Sequence, residues 1–431
     1  MTKLWDKGES IDALFERFTI GKDPELDVIL APYDVIGSKA HAQMLAKVGL
    51  LSASESAQLC EQLDLIYASC QKGEFLIKPG VEDCHSQIEM LLIEQLGDVG
   101  KKIHSGRSRN DQVITALKLF TKDQLLKVVD KVQVLFELWL DKSELNSKKL
   151  MPGYTHMQVA MPSSFGLWFG AYAEALVDDL SMLRAASDIT DQNPLGSAAG
   201  YGSSFELDRG YTTELMDFSS LNVNSIYAQM SRGKMEKAVA YAVASLAGTL
   251  SKYSMDVCTY NGQDYGFFTL DKQYTTGSSI MPHKLNPDGF ELVRAKCNKL
   301  QSLPVEMTLI LNNLTSGYHR DLQVLKESFI PAMQTIQDCL EVTIAMTKGL
   351  EVTDDLLEDS KYDLLFTVER VNELVMQGKP FRDAYQIVGK ELLEGIYEAS
   401  RDIKHSHLGS IGNLGTEQIR QSFEKVLSTM K

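Results

Sequence analysis

The sequence predicts a mainly α-helical protein, and three observations carry that expectation. Proline is scarce, at 11 in 431 residues, and several long spans lack it entirely. A helix interior tolerates proline poorly, because the ring removes an N–H and clashes with the preceding turn. Apolar residues Val113, Leu117, Phe120, Leu125, Val128, Val132, Leu135 and Trp139 recur at close to three-four spacing, the period of one helix face. Lys234 to Cys258 is dominated by apolar and mostly small residues, which suits a helix inside a bundle. With 44% hydrophobic and 23% charged residues, the chain can bury a sizeable core. Its length allows two or three domains or one elongated helical unit.

Charge and cysteine usage narrow the class. Lys and Arg number 43 against 58 Asp and Glu, a net charge of −15. An acidic surface argues against nucleic acid or an anionic membrane as partner, and an anionic substrate then needs a locally positive site. The cysteines at 60, 70, 84, 258, 297 and 339 show neither Cys-x-x-Cys pairing nor metal-ligand spacing, and read as reduced thiols of a cytoplasmic protein. Met1 to Lys7 has no apolar run fit for a signal peptide, and no stretch approaches a membrane span.

In chain order, Glu16-Arg17-Phe18-Thr19 reads as the opening of a site loop, followed by Asp27 and a polar run from Tyr33 to His41. Helices with polar turns follow through 36–70, with Ser52 or Ser54 as cap and Glu55 behind it. Glu82-Asp83-Cys84-His85 precedes a helix marked by Ile88, Leu91, Leu92 and Leu96. Next come Arg107-Ser108-Arg109-Asn110-Asp111-Gln112, just before the long three-four repeat. Two guanidiniums, small donors and the free amides of a helix start together suit carboxylate binding, since Arg presents paired donors that match a carboxylate.

Pro152-Gly153-Tyr154-Thr155-His156 to Pro162 is a break between two long helices. At that break, a hydroxyl and an imidazole side by side can hold a carboxylate or relay a proton. A helix over 163–190 leads to the small-residue loop Asn193 to Gly202. No Gly-x-Gly-x-x-Gly occurs there, so it reads as close backbone approach near a site rather than a phosphate cradle. Thr276-Gly277-Ser278-Ser279-Ile280-Met281-Pro282-His283-Lys284-Leu285-Asn286-Pro287 crowds hydroxyls, an imidazole, an ammonium and a carboxamide onto one loop that feeds a helix start. Gly277 permits backbone angles closed to other residues, and the prolines stiffen the second half. Finally, Gln323 and Lys326, three apart, share a helical face behind Tyr318.

These stretches resemble the fumarase/aspartase superfamily, and within it the argininosuccinate lyase family. The signature loop carries the first likeness. The runs around Arg109 and around His156, with Pro194-Leu195-Gly196-Ser197 and Tyr318 to Glu327, carry the second. The resemblance covers about residues 14–413. It implies a long central helical bundle over 107–350, a small N-terminal domain over 1–106 and a small C-terminal helical domain over 351–431. It further implies a homotetramer whose active sites each draw on three subunits, and a reaction releasing fumarate from argininosuccinate with no metal or organic cofactor.

By the same resemblance, Ser278 is the base that removes a carbon-bound proton, and Lys284 with Asn286 holds the resulting charge. Thr155 and His156 serve the leaving group or a carboxylate, and Glu291 orients His156. Asp27, Ser108, Arg109, Asn110, Tyr318, Gln323 and Lys326 bind substrate. The chain departs from the family at several points. His283 stands where the family has Gln, which is closer to adenylosuccinate lyase. Ser231-Arg232-Gly233-Lys234 replaces Ser-Glu-Arg-Asp, Val159 and Met161 replace Arg and Gln, Leu4 to Glu9 replaces Leu-Trp-Gly-Gly-Arg-Phe, and the tail after Asn413 is shorter. Adenylosuccinate lyase and an inactive, crystallin-like structural homologue are the alternatives.

Overall fold

The computed structural model describes residues 12–430, and Leu4 to Glu9 lies outside them. The chain is mainly α-helical, as its composition predicts. In order, the principal helices are α1 (Ala13–Ile20), α2 (Asp23–Lys47), α3 (Ala53–Gln71), α4 (Cys84–Leu96), α5 (Arg109–Leu145), α6 (Phe165–Thr190), α7 (Ser225–Tyr260), α8 (Asp288–Leu300), α9 (Leu303–Leu311), α10 (Leu325–Lys348), α11 (Thr367–Met376), α12 (Phe381–Leu393) and α13 (Thr416–Leu427). Strands are few and short. β1 (Leu150–Thr155) and β2 (Gln158–Ser164) form an antiparallel hairpin, and two further pairs have strands of two residues each. Among the described residues, no helix is long and apolar enough to cross a membrane.

The chain divides into two compact units that interleave in sequence. The first holds 12–128, 182–244 and 300–336; the second holds 129–181, 245–299 and 337–430. In the first, α2, α3 and α4 bury a common core that includes Val35, Leu45, Leu59, Leu63, Ile88 and Leu92. The start of α3 is fixed by the capping box the sequence announces. Glu55 N–H donates to Ser52 Oγ, and Ser52 N–H donates to Glu55 Oε2 at 2.9 Å.

The segment Glu16 to Thr19 is helical rather than a loop. Asp12 Oδ1 accepts the N–H groups of Leu14 and Phe15, and Thr19 Oγ donates back to the Phe15 carbonyl, so local capping closes the turn.

In the second unit, the three-four repeat of α5 meets aromatic partners. Trp139 is fully buried against Tyr253 and Tyr172, with ring centroids 4.7 and 5.6 Å apart, and Phe136 stacks on Phe423 at 3.8 Å. The break between α5 and α6 is the β1–β2 hairpin, a form that periodicity alone did not indicate. Replacing Trp139 by Ala empties the largest fully buried side chain among the described residues. It is expected to cost about 3–5 kcal/mol, read as a lower urea midpoint with an unchanged denaturant slope.

Candidate active site

A cavity of about 230 Å³ in the first unit gathers most of the substrate-binding residues expected from the sequence. Asp27, Arg109, Asn110, Tyr318, Gln323 and Lys326 line it, together with Asp23, Glu82, Asp83, His85, Arg232 and Arg320. They arrive on several pieces of local structure. Asp23 and Asp27 lie one turn apart on α2 and face the same way. Arg109 and Asn110 are the first residues of α5. Ser108 is the residue before them, and its hydroxyl accepts the Asn110 N–H at 3.3 Å. Asp83 caps α4 through the Ser86 N–H at 2.7 Å.

Lys326 is the centre of the cavity's charge. Its ammonium lies 2.6 Å from Asp27 and 2.7 Å from Asp23, and its side chain is only 5% exposed. Burial works against its charge, but the two carboxylates outweigh burial and raise its pKa. One ammonium cannot fully neutralise two carboxylates, and Asp23 is the one left short. Burial pushes its pKa up to about 6, against the pull of Lys326. His85 follows the same logic in reverse. Burial pulls it down, yet Asp34 at 3.0 Å, with Asp83 and Asp27, raises it overall.

The arginines are held in place by acids. Arg109 contacts Glu82 at 3.1 Å and Asp83 at 3.3 Å. Arg320 bonds Glu82 at 3.0 Å and the Thr19 carbonyl at 2.8 Å, and Gln323 also donates to Thr19 at 3.0 Å. The C-terminus of α1 therefore buttresses the cavity through backbone oxygens. The loop from Asn193 to Gly202 serves Asp111. Gly196 and Ala198 donate their N–H groups to one carboxylate oxygen at 3.0 and 2.9 Å, and Ser108 donates to the other at 2.9 Å. A nest of amides that could cradle an anion already holds a side-chain carboxylate, in agreement with the reading of this loop as close backbone approach.

Sequence reasoning missed Asp23, Glu82, Asp83, His85 and Arg320 as wall residues. Two signals were available: acids at i and i+4 in the first turns of α2, and the run Glu82-Asp83-Cys84-His85 at a helix start.

The remaining candidates belong to the second unit. Thr155 closes β1, and His156 and Met157 make the two-residue turn, with φ of 52° and 61°. Positive φ at both positions is what such a hairpin turn needs, yet neither residue is glycine, so the turn carries strain. All three are exposed.

The signature loop is closed at its base by paired backbone hydrogen bonds between Thr276 and Asn286. Ser278 Oγ accepts the N–H of Met281 at 3.1 Å and lies 3.4 Å from that of Ile280. His283 and Lys284 are exposed, and Asn286 donates to the Gly277 carbonyl at 3.4 Å. Gly277 does not use the left-handed backbone region, and nothing lies within 4 Å of where its Cβ would sit. Its contribution is small bulk, not unusual angles. Glu291 lies in the first turn of α8 and is exposed. No hydrogen bond among the described residues joins it to His156 in one chain.

A protein-family model described as Lyase matches residues 7–301, and the chain belongs to that family, the fumarase/aspartase superfamily of lyases. Its relatives are more particular. The argininosuccinate lyase of Bacteroides fragilis is 55% identical over 99% of this chain and 95% of its own length. That of Bacteroides thetaiotaomicron is 54% identical over the same shares. That of Thermotoga neapolitana is 41% identical over 90% of this chain and 98% of its own. Among solved structures, an EDDS lyase variant with bound fumarate superposes with a TM-score of 0.78 at 20% identity, covering 98% of this chain and 90% of that one. A class II fumarase from Schistosoma mansoni gives 0.70 at 15%, covering 96% and 95%. These two likenesses establish the fold.

The Lys326 cluster generates two expectations. Lys326→Met leaves two buried carboxylates without their cation and is expected to cost roughly 3–5 kcal/mol, measured by urea unfolding. Asp23 keeps its proton up to about pH 6 when folded, against an ordinary value of 3.8. Between those values the folded state binds more protons, so this group makes the fold gain stability as pH falls from about 6 toward 4. Asp23→Asn is expected to remove that gain, read from urea unfolding across the same window.

Proposed function

We infer that the chain is a carbon–nitrogen lyase that catalyses the reversible elimination of fumarate from argininosuccinate to give L-arginine, the last step of arginine biosynthesis. The single observation that carries the chemistry is Ser278. A serine hydroxyl is a very weak acid and becomes a base only where its anion is stabilised. The N–H of Met281 donates to this oxygen, with that of Ile280 close by, in a loop that also carries Lys284. Donors aimed at a developing charge are the device by which enzymes stabilise it.

In this reading Ser278 takes the Cβ proton, and Lys284 and Asn286 hold the negative charge that spreads onto the adjacent carboxylate. Thr155 and His156 pass a proton to the departing guanidino nitrogen or hold a carboxylate, with Glu291 orienting His156. The mixed-charge cavity supports the substrate assignment. Argininosuccinate carries carboxylates, an ammonium and a guanidinium, and the wall offers Arg109, Arg232, Arg320 and Lys326 beside Asp23, Asp27, Glu82 and Asp83. Ser108, Asn110, Tyr318 and Gln323 complete the binding set. Arg232 joins Arg109 as a carboxylate receptor, which answers the departure in the Ser-Glu-Arg-Asp segment.

We further propose a cytoplasmic homotetramer in which three subunits build each site, with consecutive domains 1–106, 107–350 and 351–431. Met157, Val159 and Met161 support this arrangement. All are exposed on the hairpin that carries Thr155 and His156, a surface suited to cover by another copy. The retained set of Ser278, His156, Lys284 and Arg109 favours an active enzyme over a crystallin-like structural role.

Fumarate is followed by its ultraviolet absorbance. Addition of argininosuccinate should release it, and addition of adenylosuccinate should not; the reverse pattern would reassign the substrate. Ser278→Ala should lose several orders of magnitude in kcat with substrate binding largely kept, and near-normal turnover would remove Ser278 from the base role.

A further inference from the structure

Helix α7 is interrupted at the wall of the cavity. Arg232 has φ −67° and ψ 137°, Gly233 has φ 81° and ψ −43°, and the helix resumes behind them. Glycine at 233 is required twice over. Its φ lies in the left-handed region, and a Cβ there would stand 2.2 Å from Leu311 Cδ2. The break throws Arg232 inward. Its guanidinium donates to the Leu322 carbonyl at 3.0 Å, lies 5.8 Å from the Tyr318 ring, and is 2% exposed.

Glu236, three residues after Gly233, is 1% exposed. Its Oε2 accepts the Gly233 N–H at 2.6 Å, so the carboxylate closes the break as a cap closes a helix start. Its Oε1 lies 4.0 Å from Arg232 Nε, too far for a hydrogen bond. Oε1, Arg232 Nε and Arg232 Nη1 all lack hydrogen-bond partners. Burial pushes the Glu236 pKa up, and Arg232 and the fully buried Lys118 on α5 offset only part of that cost.

We propose that Glu236 is the positioning residue for Arg232. It caps the break and stands beside the guanidinium without hydrogen-bonding it, leaving Arg232 able to turn two uncommitted N–H groups to a carboxylate of the substrate. Glu236 touches no substrate itself, and its effect passes through Arg232. This inference rests on the assignment of Arg232 as a carboxylate receptor.

The test compares steady-state kinetics with argininosuccinate for wild type, Glu236→Ala, Glu236→Gln, Arg232→Ala and the double Ala variant. Glu236→Ala is expected to raise KM about tenfold, the loss of roughly one charge-assisted hydrogen bond. Its kcat should stay within about threefold of wild type. Glu236→Gln keeps an acceptor for the Gly233 N–H and should fall between. The double variant should match Arg232→Ala alone, because the two residues act as one unit. KM values near wild type in both Glu236 variants, or additive effects in the double, would overturn the proposal.

A crystal structure of Glu236→Ala supplies a readout independent of turnover. Displacement of Arg232 from Leu322 supports the positioning role, and an unmoved guanidinium overturns it. If the wild type releases no fumarate from argininosuccinate, the functional reading falls, and that structure alone decides the role of Glu236.

Discussion

The ammonium of Lys326 between Asp23 and Asp27 is the interaction on which the candidate site depends. It joins α10 to α2, residues about three hundred apart in sequence, at distances of 2.6 and 2.7 Å. Three charges withdrawn from water are expensive unless each finds a partner. That expense fixes the geometry: neither helix can slide without exposing an uncompensated charge inside the protein. Arg109, Arg320 and Gln323 are then placed by second contacts to Glu82, Asp83 and the end of α1. The cavity is thus a lattice of opposed charges with a rigid outline, which favours a ligand that itself carries both signs.

Much of the fold was legible in the sequence because it rests on local rules. The three-four repeat before Trp139 became α5, and Ser52 with Glu55 became a capping box. Prolines around His156 marked a break. What escaped was set by partners distant in the chain. The break is a hairpin because residues 150–155 pair with 158–164, and no period announces that.

The site shows the same split. Arg109, Gln323 and Lys326 stood out by type and spacing, and the structure brings them to one cavity. Asp23 and Glu236 did not, because an acid on a helix is ordinarily a solvated one. Only the buried cations opposite them make these acids functional candidates. Gly277 is the converse case, a glycine whose conformational freedom goes unused.

Asp111 ties together two parts of the chain that perform different tasks. One carboxylate oxygen takes amides from the Gly196 turn, and the other takes the amide of Ser108, next to Arg109. The turn and the arginine therefore move as a single rigid piece. Substitutions in that glycine-rich turn, distant in sequence from Arg109, would register as a shift in the placement of its guanidinium. Tolerance to change there is governed by what Asp111 holds rather than by exposure.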